Sequence, residues 1–191
     1  METIIYGGTF DPPTQAHKEI IEVCLDRPQT AEVWIMPSAD RHDKPKASSA
    51  RHRITMVQHM IDNYFAADNR VRLCRVEVDE LSVPTQTAIT VQYLKTKYPD
   101  RLFRFVFGVD TYNVMPSWSL GYALQSSLPM LIVNRQGYKL DSKSSLETID
   151  IPTVISSTKI RDMIAANYPA ERFVCKPIID YIYKNNLYVV Q

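Results

Sequence analysis

Short runs of β-branched and aromatic residues alternate with longer amphipathic stretches along this chain. The short runs predict strands at 3–6, 33–36, 71–78, 102–107 and 130–133, with 151–154 a weaker candidate. Between them, apolar residues recur every three or four positions and predict helices at 17–25, 51–65 and 87–98. Strands and helices in this alternation favour a parallel sheet covered on both faces. We therefore expect an α/β, Rossmann-like doubly wound fold.

The last forty residues have a different pattern, in which two helices are predicted without a strand between them. These helices span 156–167 and 176–186, and Pro169 and Pro177 lie between them or at their starts. No repeat or linker composition interrupts the chain. We expect one domain over 1–191, made of a core at 1–155 and a small C-terminal helical subdomain at 156–191. Ser48 and Ser49 are available to cap the helix predicted at 51–65.

Composition and charge narrow the classes of function. The 22 Lys and Arg against 21 Asp and Glu leave a formal net charge of +1, which disfavours nucleic-acid or membrane binding through bulk charge. No signal peptide is visible, and the apolar runs are too short to span a bilayer. Cys24, Cys74 and Cys175 are scattered and favour buried free thiols. We expect a cytoplasmic protein that acts on small molecules and could form a homo-oligomer.

The first chemistry-bearing segment is YGGTFDPPTQAH at 6–17, between the first strand and the first helix. Ligands of doubly wound sheets bind beyond the carboxyl ends of the strands, where helix N-termini present free N–H groups. Gly7 and Gly8 allow a polyphosphate to approach the backbone. His17 begins the helix, where a partly positive ring would add a donor. The segment is neither a Walker A loop nor a GxGxxG fingerprint.

The second segment, ISSTKIR at 155–161, places hydroxyl residues at a helix start and Arg161 one turn further on. Ser156 taken alone is typical of a structural cap. Hydroxyls followed by Lys159 and Arg161, however, can cradle a phosphate, because the planar guanidinium fork matches phosphoryl oxygens.

Together, GGTFDPPTQAH and ISSTKIR resemble the nucleotidyltransferase superfamily that carries the (H/T)xxH signature. More narrowly, they resemble nicotinate-nucleotide adenylyltransferases, with the nicotinamide-mononucleotide enzymes close behind. The resemblance runs nearly end to end, through Met36-Pro37, Gly108-Val109-Asp110 and Trp118. It implies adenylyl transfer from ATP to nicotinate mononucleotide, giving deamido-NAD and pyrophosphate in NAD biosynthesis. It also implies Mg²⁺, held mainly by the substrate phosphates rather than by a protein metal site.

The resemblance implies three groups of site residues. The catalytic group is Thr14, His17, Lys44 and Arg161. ATP would be bound by the residues of the two segments and of the turn after the fourth strand: Gly7, Gly8, Thr9, Phe10, Gly108, Asp110, Ser156, Ser157, Thr158 and Arg161. The mononucleotide would be bound by Gln86, Thr87, Trp118 and Lys44. Lys46 is the alternative to Lys44 as the lysine that binds the mononucleotide phosphate, because this loop differs in length from the family pattern.

Two departures from the family pattern leave alternatives open. Thr14 stands where the signature also allows histidine, and Gln86 stands where acid-specific enzymes usually have an aromatic residue. A Gln side chain can donate or accept, so nicotinamide mononucleotide is an alternative substrate. A sister transferase, such as a phosphopantetheine adenylyltransferase or a cytidylyltransferase, is a second alternative. These enzymes share the first motif but are not expected to combine it with Trp118 and the full ISSTKIR helix. A non-catalytic nucleotide-binding regulator is the alternative from a different class, although His17 and Arg161 argue against it.

Overall fold

The computed structural model describes residues 1–40, 46–81, 86–140 and 146–189. Within them, six strands form one sheet in the order β3-β2-β1-β4-β5-β6, and every neighbouring pair is parallel. The strands are β1 Glu2–Gly8, β2 Thr30–Pro37, β3 Val71–Leu73, β4 Leu102–Gly108, β5 Met130–Val133 and β6 Glu147–Ile149.

Helices cover both faces of this sheet, which confirms the predicted doubly wound fold. They are α1 Gln15–Leu25, α2 Ala50–Tyr64, α3 Val76–Asp79, α4 Thr87–Lys97, α5 Val109–Val114, α6 Gly121–Ser127, α7 Ser157–Ala165 and α8 Lys176–Lys184. A 3₁₀ turn at Met115–Ser117 follows α5. The sequence pattern predicted α1, α2, α4, α7 and α8, whereas the short helices α3, α5 and α6 were missed.

The alternation of side chains along the central strands divides the core into two clusters. Ile4 belongs to the cluster that packs with α1, α2, α7 and α8, whereas Ile5 belongs to the cluster that packs with α4, α5 and α6. Both isoleucines are fully buried. Successive residues of a strand point to opposite faces, so a strand covered on both sides reads as a continuous apolar run.

Two of the predicted strands are placed differently by the structure. β3 ends at Leu73, and Val76–Asp79 is a helical turn whose Asp79 N–H bonds the Arg75 carbonyl. An edge strand has only one neighbour, so local helical bonds can replace its ladder beyond the last pair. The sixth strand lies at Glu147–Ile149, not at 151–154, because Pro152 has no N–H for the ladder. The 151–154 segment instead runs along the cleft, where the N–H of Thr153 bonds Glu19.

The cysteines are buried free thiols, as the composition predicted. Burial raises the pKa of the Cys24 thiol to about 12, so this sulfur stays protonated. In the described parts of the chain, no helix is both long and apolar enough to cross a membrane.

Candidate active site

The turns that follow the strands open onto one cleft of about 1380 Å³ at the carboxyl edge of the sheet. This is the edge where doubly wound folds bind ligands. Thirteen of the predicted site residues line it: Gly7, Gly8, Thr9, Phe10, His17, Gln86, Thr87, Gly108, Trp118, Ser156, Ser157, Thr158 and Arg161. Thr14 and Asp110 do not line the cleft but contact residues that do. Lys44 lies outside the described residues, whereas its competitor Lys46 lines the cleft.

The His17 imidazole is oriented from both sides. The backbone N–H of Thr14 donates to its Nδ1 over 3.0 Å, which assigns the ring proton of the neutral form to Nε2. The rings of Phe10 and Tyr6 lie with their centroids 5.0 and 6.0 Å from the imidazole. Burial, assisted by the charge of Arg135, lowers the pKa of His17 to about 3. A pKa this low favours a neutral ring in the substrate-free protein, with Nε2–H as the donor, in place of the partly positive ring that the sequence led us to expect.

Phe10 contributes to the site through packing. Its side chain is 1% exposed, and its backbone has a left-handed conformation with φ of 54°. The ring meets Tyr6 edge-on at 5.3 Å between centroids. A Cβ at position 8 would lie 3.1 Å from this ring, so Gly8 leaves the space that Phe10 needs beside His17.

Helix α7 brings the second motif onto the first. The Arg161 Nη1 donates to the carbonyl of Asp11 over 2.8 Å, and its Nη2 donates to the Thr158 hydroxyl over 3.1 Å. The Ser157 hydroxyl donates to the carbonyl of Pro12 over 2.8 Å. The Ser156 hydroxyl caps α7 by accepting from the backbone N–H of Lys159, which confirms its predicted role as a structural cap. The guanidinium is thus held beside the His17 loop although 144 positions separate the two residues in sequence.

The turn after β4 forms another wall of the cleft. Gly108 caps α5, and a Cβ on it would lie 2.4 Å from the Asp110 Oδ1. The Asp110 Oδ2 accepts from Arg135 Nη1 over 3.0 Å, whereas Oδ1 is buried without a hydrogen-bond partner in the described part of the chain. Arg135 lines the cleft and was missed by the sequence analysis. Arg135 lies two residues beyond the end of β5, as Asp110 lies two residues beyond the end of the neighbouring β4, and this equivalent position was the signal that could have found it.

The opposite end of the cleft is formed by the start of α4 and by Trp118. Gln86 is the N-cap of α4, and Thr87 is its first residue. Trp118 lines the cleft and is also partly buried against the core cluster of α4 to α6. The Thr90 hydroxyl donates to Glu77 over 2.8 Å, and both residues line this end. Glu77 was not predicted as a site residue.

The arrangement is suited to a polyanionic substrate. The cleft collects a guanidinium, a neutral imidazole N–H and the N-terminus of α7, all of which can donate to phosphate oxygens. In residues 1–40, 46–81, 86–140 and 146–189, no group of three or more His, Cys, Asp or Glu is arranged to hold a metal ion.

Comparison with known proteins places this architecture in a family. The cytidylyltransferase-like family model matches residues 5–163, a span that contains both motifs. A probable nicotinate-nucleotide adenylyltransferase of Bacillus licheniformis is 30% identical over 187 residues, which cover 96% of each chain. The chain belongs to the nicotinate-nucleotide adenylyltransferase family.

Two further relatives agree with this assignment. The nicotinate-nucleotide adenylyltransferase of Bacillus subtilis is 28% identical over 187 residues, again covering 96% of each chain. The structure of the Plasmodium falciparum nicotinic acid mononucleotide adenylyltransferase, complexed with NaAD, aligns with a TM-score of 0.86 and 27% identity over 98% of both chains. The fold of this family member therefore matches that of its relatives from end to end.

Proposed function

We propose that this protein transfers the adenylyl group of ATP to nicotinate mononucleotide and releases deamido-NAD and pyrophosphate, as a step of NAD biosynthesis. Membership of the adenylyltransferase family supports the reaction. The contact between Arg161 and the Asp11 carbonyl carries the assignment within this structure, because it joins the two phosphate-binding motifs in one cleft.

The reaction needs positioning and charge stabilisation rather than a covalent enzyme intermediate. A phosphate oxygen of the mononucleotide forms a bond to the α-phosphorus of ATP, and the bond from this phosphorus to the α–β bridging oxygen breaks. The Nε2–H of His17 donates to an oxygen of the α-phosphate, and Thr14 keeps Nδ1 as the acceptor. Arg161, with Ser157 and Thr158, holds the oxygens of the leaving pyrophosphate.

Members of the nucleotidyltransferase class generally use a divalent metal with ATP, and we propose Mg²⁺ here. When bound, the ion would neutralise charge on the phosphates, and these phosphates, rather than protein side chains, would hold it. We propose that adenosine binds at the turn after β4, where Gly108 and Arg135 line the cleft. In this arrangement the Asp110 carboxylate, which accepts from Arg135, also accepts from the ribose hydroxyls.

The mononucleotide fits the other end of the cleft. The face of Trp118 offers a stacking surface for an electron-poor pyridinium ring, which cation–π attraction stabilises by roughly 0.5–2 kcal/mol. The N-terminus of α4, at Gln86 and Thr87, offers N–H groups for the ring carboxylate. We propose that Lys44 or Lys46 binds the phosphate of the mononucleotide. Glu77 introduces a negative charge at this end, which favours testing the amide substrate alongside the acid.

The test is to incubate the protein with ATP and Mg²⁺, adding nicotinate mononucleotide, nicotinamide mononucleotide or phosphopantetheine in separate reactions. Dinucleotide and pyrophosphate are measured by chromatography. We expect turnover with the mononucleotides and a higher kcat/KM for the acid. ATP binding without turnover would identify a regulator, and turnover with phosphopantetheine alone would identify a sister transferase.

A pair of arginine and lysine variants controls for charge in this assay. Arg161→Gln should abolish most turnover, whereas Lys176→Gln, whose side chain is 81% exposed on α8, should leave it unchanged. Equal activity in both variants would remove Arg161 from the mechanism. The cytoplasmic location, the homo-oligomer and the division at residue 155 stay predictions.

A further inference from the structure

Asp11 is a buried carboxylate in the first motif, and the proposed reaction does not use it. It is 3% exposed, yet several donors from other segments satisfy its oxygens. Its Oδ2 accepts from the backbone N–H groups of Ala47 and Ser48 at 2.9 and 3.2 Å. Its Oδ1 accepts from the hydroxyls of Ser48 and Tyr188, both at 2.5 Å. A charge buried in this way is stabilised by hydrogen bonds and not by an ion pair.

The same residue touches the proposed ATP site through its backbone. The Asp11 carbonyl accepts from the guanidinium of Arg161, which would hold the leaving pyrophosphate. The side chain and the carbonyl of Asp11 therefore connect the 46–49 segment to α7. The 46–49 segment begins with Lys46, which lines the cleft and is a candidate for binding the mononucleotide phosphate in the proposed function.

Arg53 reinforces this junction from the other side. Its side chain is fully buried, and it donates to the carbonyls of Thr9 and Ser48 and to the carboxylate of Asp40. The first-motif loop and the 46–49 segment are thus held together by two charged side chains. A displacement of one loop would be transmitted to the other.

Tyr188 reaches the junction from the C-terminal end of the chain. After α8, Asn186 and Tyr188 adopt left-handed backbone conformations with φ of 50° and 63°, and the Tyr188 hydroxyl lies 3.9 Å from the Met56 Sδ of α2. The Leu187 N–H bonds the Ile182 carbonyl across this turn. Burial and the bond to Asp11 raise the pKa of Tyr188, so the hydroxyl remains a donor.

We propose that Asp11 and Tyr188 are positioning residues. They fix the position of the site for the ATP phosphates relative to the site for the mononucleotide phosphate. Tyr188 and Ser48 hold the Asp11 carboxylate, Asp11 holds the 46–49 segment, and the Asp11 carbonyl holds Arg161. The C-terminal segment therefore acts on both substrates without touching either. This inference rests on the proposed function for the identity of the two phosphates.

The first test compares Tyr188→Phe with Tyr181→Phe. Both remove one hydroxyl beside α2, but that of Tyr181 contacts His52 Nδ1 at 2.9 Å and no part of the first motif. We expect Tyr188→Phe to raise the KM of both ATP and the mononucleotide about three- to tenfold, the range expected for one lost hydrogen bond. Tyr181→Phe should change neither KM. The thermal midpoint should be similar in the two variants.

The second test uses the two hydroxyls that share Oδ1. Ser48→Ala and Tyr188→Phe each leave one donor on this oxygen, whereas the double variant leaves none. We expect the double variant to raise the KM values by more than the product of the single effects. A role in folding alone would lower the thermal midpoint and leave KM unchanged.

Two results would overturn the inference: kinetics of Tyr188→Phe equal to those of Tyr181→Phe, or effects of the two hydroxyl variants that simply multiply. The proposed function fails separately, by an absence of turnover in the wild-type protein with either mononucleotide. In that case the ATP dissociation constants of the same variants, measured by calorimetry, decide the inference: a rise in Tyr188→Phe alone supports it, and equal constants overturn it.

Discussion

Substitution of Gly108 by alanine is the sharpest test of the proposed ATP site. The backbone at this position has φ of −70° and ψ of 149°, which alanine adopts without strain. The added Cβ, however, would lie 2.4 Å from Asp110 Oδ1 and 3.2 Å from Arg135 Nε. Cβ atoms in real structures essentially never lie closer than 3.0 Å to such an atom. The first distance is shorter than this limit, so the Asp110 carboxylate must move.

Gly108→Ala is expected to change the free energy of ATP binding much more than the free energy of unfolding. The Arg135–Asp110 ion pair is 52% and 28% exposed at its side chains, and such pairs contribute roughly 0–1 kcal/mol to stability. Replacing glycine at a compatible backbone position stabilises a protein by about 0.4–1 kcal/mol. These terms are of similar size and opposite sign, so the free energy of unfolding should change little. A lost charge-assisted hydrogen bond to the ribose would weaken ATP binding by about 1.5–3 kcal/mol.

The assay is steady-state kinetics with ATP varied at a saturating mononucleotide concentration, together with urea unfolding. We expect Gly108→Ala to lower kcat/KM for ATP by roughly ten- to a hundredfold. Gly108→Ala should have little further effect in an Asp110→Ala background, because both changes remove the same carboxylate from its place. Gly7→Ala is the matched glycine control for stability, since its Cβ would meet only Met36 at an ordinary 3.7 Å.

Three results would contradict the proposed role of Asp110 in ATP binding. Unchanged ATP kinetics in Gly108→Ala would show that Asp110 has no role in binding. Fully multiplicative effects of the two substitutions would show that Gly108 acts independently of the carboxylate. A large loss of stability would show that the effect lies in folding.

Two further predictions concern His17 and Trp118. Because burial lowers the pKa of His17 to about 3, the unfolded chain binds a proton between about pH 3 and 6.5 that the folded protein does not. Stability should therefore fall as the pH drops from 7 to 5, with a slope from His17 of up to about 1.4 kcal/mol per pH unit, and His17→Gln should remove that part of the slope in urea unfolding. A slope unchanged by His17→Gln would contradict the neutral, desolvated ring. Trp118→Ala should raise the KM of the mononucleotide about tenfold and that of ATP less than twofold, with Trp118→Phe in between, because only the pyridine ring stacks on the indole. An equal rise for both substrates would assign Trp118 to packing alone.

The elements that local periodicity encodes were predictable. The helix at 51–65 and the strands through Ile4, Ile35 and Phe105 have long, regular patterns, and the structure contains them. The sixth strand was misplaced because Glu147–Ile149 is three residues long, and its first two are exposed. Such a short edge strand is determined by its pairing with β5, which no pattern within it records.

The amino-acid sequence by itself determined the doubly wound fold, the family and the two motifs of the cleft. These depend on residue types and spacings that are read along the chain. Only the tertiary structure decided that burial lowers the pKa of His17, that Arg135 pairs with Asp110 and that Tyr188 bonds Asp11. Each of these properties depends on exclusion of water or on contacts between residues far apart in sequence, and neither is visible before the chain has folded.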